Sequence, residues 1–117
     1  MNRQHLLAAL KALSNDTRLD IVERLMAGTH CNCEIAEELD LSLSLVSHHL
    51  NTLRGAGLVT AERDKDDARW VHYSLDPDAL RVLRSTFCDL LDVERLQQRQ
   101  PTCPVATSPS ISDSQGE

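Results

Sequence analysis

Aromatic side chains are nearly missing from this chain: Trp70, Tyr73 and Phe87 are the whole complement in 117 residues. With apolar residues at 41% and so few rings, leucine and its relatives must build the core. That favours packed helices over a sandwich or barrel. No apolar run approaches the ~20 residues of a membrane span. The first stretch, MNRQHLLAALKAL, is amphipathic and lacks an uninterrupted apolar segment followed by a small-residue cleavage site, so it reads as a helix rather than a signal peptide. No membrane partner and a cytoplasmic location are the resulting expectations. Basic residues are also scarce, 12 against 18 acids for a formal charge of -6. This excludes a generally basic coat for nucleic acid or a binder of membrane surfaces, though not a DNA contact made by one locally basic face. Cysteines number four, and in the cytosol these are expected as thiols.

The most informative absence is local. Between Asp40 and Glu62 there is no Asp or Glu at all. Within that window SLSLVSHHLNTLRGAGL places Val46, Leu50 and Leu53 on one stripe at the helical period of 3.6. Ser44, Ser47, His48, Asn51, Arg54 and Gly55 fall opposite. Hydroxyls, an amide, an imidazole and a guanidinium, free of carboxylates, suit phosphates and base edges. The stretch reads as the recognition helix of a DNA-binding domain. His48 points outward as a phosphate or base contact, whereas His49, on the flank of the stripe, reads as a packed structural residue. Ser44 and Ser47 divide between DNA contact and plainer roles, N-capping for Ser44 and solubility for Ser47. Exposed Leu43 and Leu45 keep the base code illegible.

Around this helix the chain divides cleanly. Leu6, Leu10 and Leu13, widened by Leu7, mark a first helix over residues 3 to 13. A second is capped by Asn15 or Asp16 and stopped near Gly28. A third spans roughly Glu34 to Leu39, with His30 to Cys33 leading into it, and Gly57 ends the fourth. Leu58 to Arg63 and Arg69 to Leu75 alternate as two strands of a hairpin, with Arg63, Lys65 and Arg69 as DNA-backbone contacts diluted by Asp64, Asp66 and Asp67. Asp76-Pro77 starts a last helix running to about Gln97. Its apolar residues occupy two sides, more than one small core can bury, so a homodimer is expected. Two recognition helices about such an axis would read a near-palindromic duplex. The fold class is mainly α with a β-hairpin wing, a winged helix-turn-helix in the order α-α-α-α-β-β-α. Residues 1–98 form the domain and 99–117, rich in Gln, Pro, Ser and Thr, a flexible tail carrying Cys103.

Cys31-Asn32-Cys33 is the second informative motif. Two residues apart on a regular helix diverge by about 200°, but at a helix start the two sulfurs can converge on one ion. The free amide groups there favour thiolate, and soft thiolates select As(III), Cd(II), Pb(II), Zn(II) or Cu(I).

LKALSNDTRLDIVERL, CNCEIAEELDLSLSLVSHHLNTLRGAGLV and the hairpin ending RWVHYSL together resemble the ArsR/SmtB metal-sensing repressors, over roughly residues 6 to 92. The resemblance implies a dimer that blocks a promoter until a metal or metalloid lowers its DNA affinity, with Cys31 and Cys33 in the inducer-binding motif. The chain departs from two family patterns. The arsenic-type third thiol would fall at Ala36, and no cysteine precedes Cys31. A third ligand must then come from Cys103, less favourably from Cys88, or from His30. The family's zinc site of Asp and His pairs on the last helix is unsupported, since Asp89 and Asp92 have no His after them. As(III) is the favoured inducer, Cd(II) or Pb(II) next. The alternative is a thiol-redox-responsive repressor using the same cysteines. An enzyme of thiol exchange would need a cleft and a His-Asp set that the chain does not offer.

Overall fold

Helix caps decide most of the element boundaries. In the computed structural model, which describes residues 1–104, α1 (Arg3–Leu13) starts where the Asn2 side chain accepts from the His5 N–H. Helix α2 (Asp16–Leu25) starts where Asn15 accepts from Arg18 N–H. Ser42 caps α4 (Leu43–Gly55) by accepting from Leu45 N–H, and Asp76 with Pro77 opens α5 (Pro77–Leu90). Each cap pairs a donor that helix geometry leaves orphaned. Because Ser42 takes that role, Ser44 is free of it and stands exposed on α4.

The C-terminal stops are equally local. At the end of α4 the Leu58 N–H reaches Leu53 C=O and the Gly57 N–H reaches Arg54 C=O, with Gly57 at φ 81, a Schellman closure. Helix α3 (Asn32–Leu39) closes the same way through Asp40 at φ 54, with Leu41 N–H on Ala36 C=O. A non-glycine residue in this left-handed conformation is strained.

The expected order holds with one addition. His30–Cys31 forms a two-residue strand, β1, antiparallel to β3 (Val71–Leu75), which also pairs with β2 (Val59–Arg63). The sheet order is β1-β3-β2. Two residues are too short to show a period. The wing is thus tied by β1 to the start of the helix-turn-helix.

Val46, Leu50 and Leu53 are fully buried, as the stripe on α4 requires, together with Ile21, Ile35 and Leu58. Each such side chain contributes about 1.5–3 kcal/mol of transfer free energy. Helix α1 differs from expectation. Its most buried residues are Ala9 and Ala12, while Leu6 and Leu13 flank the core and Leu7 is 55% exposed. Small side chains at the contact let α1 approach α2 and α4 closely. The last helix is shorter than its apolar pattern suggests. Regular α structure ends at Leu90, and Asp92, accepting from Glu94 N–H, starts a separate 3₁₀ turn, Val93–Arg95. A side-chain acceptor competing for backbone donors favours this break. Of α5 only Leu83 is buried, and Leu90, Leu91, Val93 and Leu96 are exposed. Of the expected tail, residues 99–104 carry no regular element and 105–117 lie outside the described residues.

Candidate functional site

Recognition helix and wing face each other across a cleft of about 470 Å³. Its walls hold Ser47, Asn51 and Arg54 from α4, Arg63 and Arg69 from the wing, and Asn32 from α3. Five of the eight residues expected to touch DNA are therefore brought to one place. Ser44 and His48 are exposed on α4 outside the cleft, and Lys65 lies at the wing turn beside Glu62, Asp64 and Asp66. Leu43 lines the cleft too, an apolar contribution from α4.

The guanidinium groups are not equivalent. Arg54 forms no ion pair among the described residues. Arg63 donates to the Ala68 carbonyl, which folds it along the wing. Arg69 is clasped by Asp67, Nη2 to Oδ2 at 2.7 Å and Nε to Oδ1 at 3.1 Å, and it also stands 5.4 Å from the centre of the Trp70 ring. The hydrogen bonds from Arg69, side chain first and then backbone, hold the Asp67 carboxyl down to about 2, and the same contact raises Arg69. The pair is ionised throughout the neutral range and nets zero charge. Asp64 also has a structural task. It accepts from the Asp66 and Asp67 N–H groups at 2.9 Å and meets His72 Nε2 at 3.0 Å. His72, followed by those backbone donors, lowers its pKa. The acids of the wing thus build its turn as well as weaken its field.

His49 is 8% exposed. Its Nδ1 lies 3.2 Å from Arg18 Nη1, and Arg18 Nε donates to the Ala12 carbonyl at 2.6 Å. This arrangement pins the end of α1 and the start of α2 against α4. Burial first, then the charges of Arg18 and His48, lower the His49 pKa, so a neutral ring accepts from Arg18. His48 is exposed; the two neighbours divide into a packed support and a free surface group.

Cys31 and Cys33 meet at the start of α3, their sulfurs joined as a disulfide. Cys31 is also the N-cap. Its sulfur accepts from Cys33 N–H at 3.3 Å while Glu34 Oε1 accepts from Cys31 N–H at 2.8 Å. Thiols had been expected, and the bridge shows how close the helix start brings them. The donor set is soft and convergent, suited to a thiophilic ion, but it counts two. Among the described residues no group of three or more His, Cys, Asp or Glu side chains stands ready to hold a metal ion. Cys88 and Cys103 are exposed and free, and Cys103 is thirteen residues beyond the end of α5. His30 Nδ1 is bonded to the Gly28 carbonyl at 2.8 Å.

Three functional neighbours escape a sequence reading: Asn32, whose amide sits between the cysteines and the wing, Arg18, and the Asp67 clasp. Their partners lie up to 39 residues away, and no local pattern signals such pairings. Asp67 alone gave a hint, by its spacing from Arg69.

Residues 15–61 match the signature of the bacterial regulatory proteins of the arsR family. The arsenical resistance operon repressor of Escherichia coli is 41% identical over 68 residues, 57% of this chain and 56% of that protein. A cadmium resistance regulatory protein CadC homolog of Staphylococcus aureus is 35% identical over 74 residues, 62% of this chain and 59% of that one. The match spans little more than half the length of these relatives. Among solved structures, one described as a possible transcriptional regulator for arsenical resistance is 31% identical, with a TM-score of 0.60, covering 76% of this chain and 97% of that one. A homodimeric winged helix-turn-helix domain from Mycobacterium bovis is 25% identical with a TM-score of 0.61, covering 86% and 89%.

Proposed function

Because this chain belongs to the arsR family of bacterial regulatory proteins, whose members are transcriptional regulators and not enzymes, we propose that it is a homodimeric repressor which releases a near-palindromic operator when a thiophilic ion binds Cys31 and Cys33. The observation that carries this is the meeting of both sulfurs at the N-terminus of α3, the helix that packs on α4. Whatever separates or bridges those sulfurs acts on the support of the recognition helix.

DNA contacts come from Ser44, Ser47, His48, Asn51 and Arg54 on α4 and from Arg63 and Lys65 on the wing. Arg69 contributes less because Asp67 neutralises it. The apolar residues left exposed on α1 and at and just past the end of α5, Leu7, Leu90, Leu91 and Val93, are the surface a second copy covers. A two-fold axis then sets the α4 helices about 34 Å apart, one turn of DNA.

As(III) is the favoured inducer, with Cd(II) or Pb(II) next and Zn(II) after them. Relatives named for arsenic and cadmium resistance support an inducer of this thiophilic class. A third donor is needed, and Cys103, exposed and free thirteen residues beyond the end of α5, is the first candidate. Cys88 follows, then His30, whose imidazole suits arsenic poorly. Ion binding biases the dimer towards a geometry that fits DNA less well, and each tenfold loss of affinity needs about 1.4 kcal/mol of coupling.

The Cys31–Cys33 bridge favours a second reading, a thiol-redox repressor in which peroxide takes two electrons and two protons from the thiols and leaves as two waters. Operator-binding titrations of the reduced chain with As(III), Cd(II), Pb(II) and Zn(II), repeated on each Cys→Ser variant, separate the two. Release by an ion, lost in Cys31→Ser and Cys33→Ser, is expected. Loss in Cys103→Ser but not Cys88→Ser would identify the tail as donor. No response to any ion refutes the reading, and a response to peroxide alone replaces it by the redox one.

A further inference from the structure

Asn32 stands between the two cysteines in sequence and between the cysteine pair and the wing in space. It is only 3% exposed, and a buried amide must find partners. Its Oδ1 accepts from Cys33 N–H at 2.9 Å and from Val71 N–H at 3.3 Å, and lies 3.2 Å from Cys31 Sγ. Val71 is the first residue of β3, directly after Arg69 and Trp70, and faces Arg63 across the hairpin. One oxygen therefore joins the thiol site to the base of the wing, and Asn32 also lines the cleft between wing and α4.

We propose that Asn32 is the positioning residue that carries the state of the Cys31–Cys33 pair into the wing. This rests on the reading of the pair as the effector site. In the reduced chain the two thiols turn independently, whereas one tetrahedral ion with bonds of about 2.3 Å holds its two sulfurs about 3.8 Å apart. Binding the ion fixes both side chains at once, and the peptide units flanking Asn32 turn with them. The Cys33 N–H that holds Oδ1 belongs to one of those units. Oδ1 follows it, and the longer of its two bonds, that to Val71, yields. The wing then loses its buried anchor at the start of β3, next to the arginines that face the cleft.

Phenylarsine oxide is the probe, because it needs two thiols and no third ligand. A phosphine first returns the disulfide to two thiols, becoming its oxide with water supplying oxygen and protons. Phenylarsine oxide then forms two As–S bonds, its oxygen leaves as water with both thiol protons, and arsenic keeps its oxidation state. Trp70 is the only tryptophan, so its emission reports the wing, and the Val71 amide resonance reports the bond itself. In the wild-type chain both respond and saturate at one equivalent. Asn32→Val takes up one equivalent with its thiols consumed, but most of its Trp70 response is lost, because the contact that couples the thiol site to the wing is gone. A purely structural role would shift the starting emission and leave the response. A wild-type Trp70 response in Asn32→Val, or a Val71 resonance that does not move in the wild-type chain, overturns the relay. The second criterion needs no variant to fold. Release of operator by arsenite without a Val71 response to phenylarsine oxide sinks the relay alone. A Val71 response with operator affinity unmoved by any thiophilic ion supports the relay and sinks the proposed function alone.

Discussion

Asp67→Asn is expected to tighten DNA binding, although the side chain it alters touches no expected DNA contact except Arg69. Asp67 holds Arg69 through Nη2–Oδ2 at 2.7 Å and Nε–Oδ1 at 3.1 Å, and its carboxyl, at about 2, stays ionised at any working pH. The pair brings no net charge to the phosphates. An asparagine keeps Oδ1 for the Arg69 backbone N–H, now accepted at 3.0 Å, so the turn survives while the negative charge goes. Each phosphate newly neutralised steepens the dependence of log K on log salt by ~0.9, hence ~1.8 for a symmetric dimer, and at about 0.15 M salt this corresponds to ~5-fold per contact and ~30-fold per dimer. The pair is largely solvated, with Arg69 77% exposed, and contributes little to stability, so the melting temperature should barely change. Fluorescence anisotropy on a mixed-sequence duplex over a salt series measures both slope and affinity, since phosphate contacts are blind to sequence. Arg69→Ala alone should weaken binding by leaving Asp67 uncompensated, and the double variant Asp67→Asn, Arg69→Ala should return within about twofold of wild type. Unchanged slope and affinity in Asp67→Asn would refute the reasoning. A double variant much weaker than wild type would show instead that Arg69 contacts DNA while still paired.

Asp40→Gly removes a strained left-handed residue, φ 54, and an anion from the C-terminal end of α3, and should stabilise the domain by about 0.5–1 kcal/mol; thermal unfolding tests it, and an unchanged or lower midpoint counts against it. His49 titrates below its ordinary value of 6.5, so as pH falls the unfolded chain takes its proton first and the folded state loses stability from about pH 6.5 downward. His49→Gln keeps an acceptor for Arg18 and should flatten that part of the curve; urea denaturation from pH 7.5 to 5 giving the same slope for both proteins would contradict it.

Much of the fold was legible because its determinants are local. The Val46–Leu50–Leu53 stripe, the Asn15 and Asp76 caps, Gly57 at a positive φ and the alternation around Tyr73 all act within a few residues. The same holds for the candidate site up to the point where partners come from elsewhere. Five of the residues expected to face DNA gather in one cleft because the helical period sets Ser47, Asn51 and Arg54 and the hairpin sets Arg63 and Arg69 opposite them. Helix α5 ends short of its apolar pattern: Leu91, Val93 and Leu96 continue that pattern, while the Asp92 acceptor that interrupts the helix acts on backbone groups the pattern does not describe.

The sequence by itself determined a helix cleared of carboxylates, a wing behind it, and two cysteines at a helix start where their sulfurs can converge. Only the tertiary structure decided that Ala9 and Ala12, not the leucines beside them, set how closely α1 packs. It alone joined Arg18 to His49 and β1 to β3, and Asn32 to Val71. Those pairings span tens of residues, and their energies depend on which buried donors and acceptors the collapsed chain leaves facing one another. A local pattern can place a polar side chain at a helix start; which distant amide it must satisfy is settled when the core closes around it.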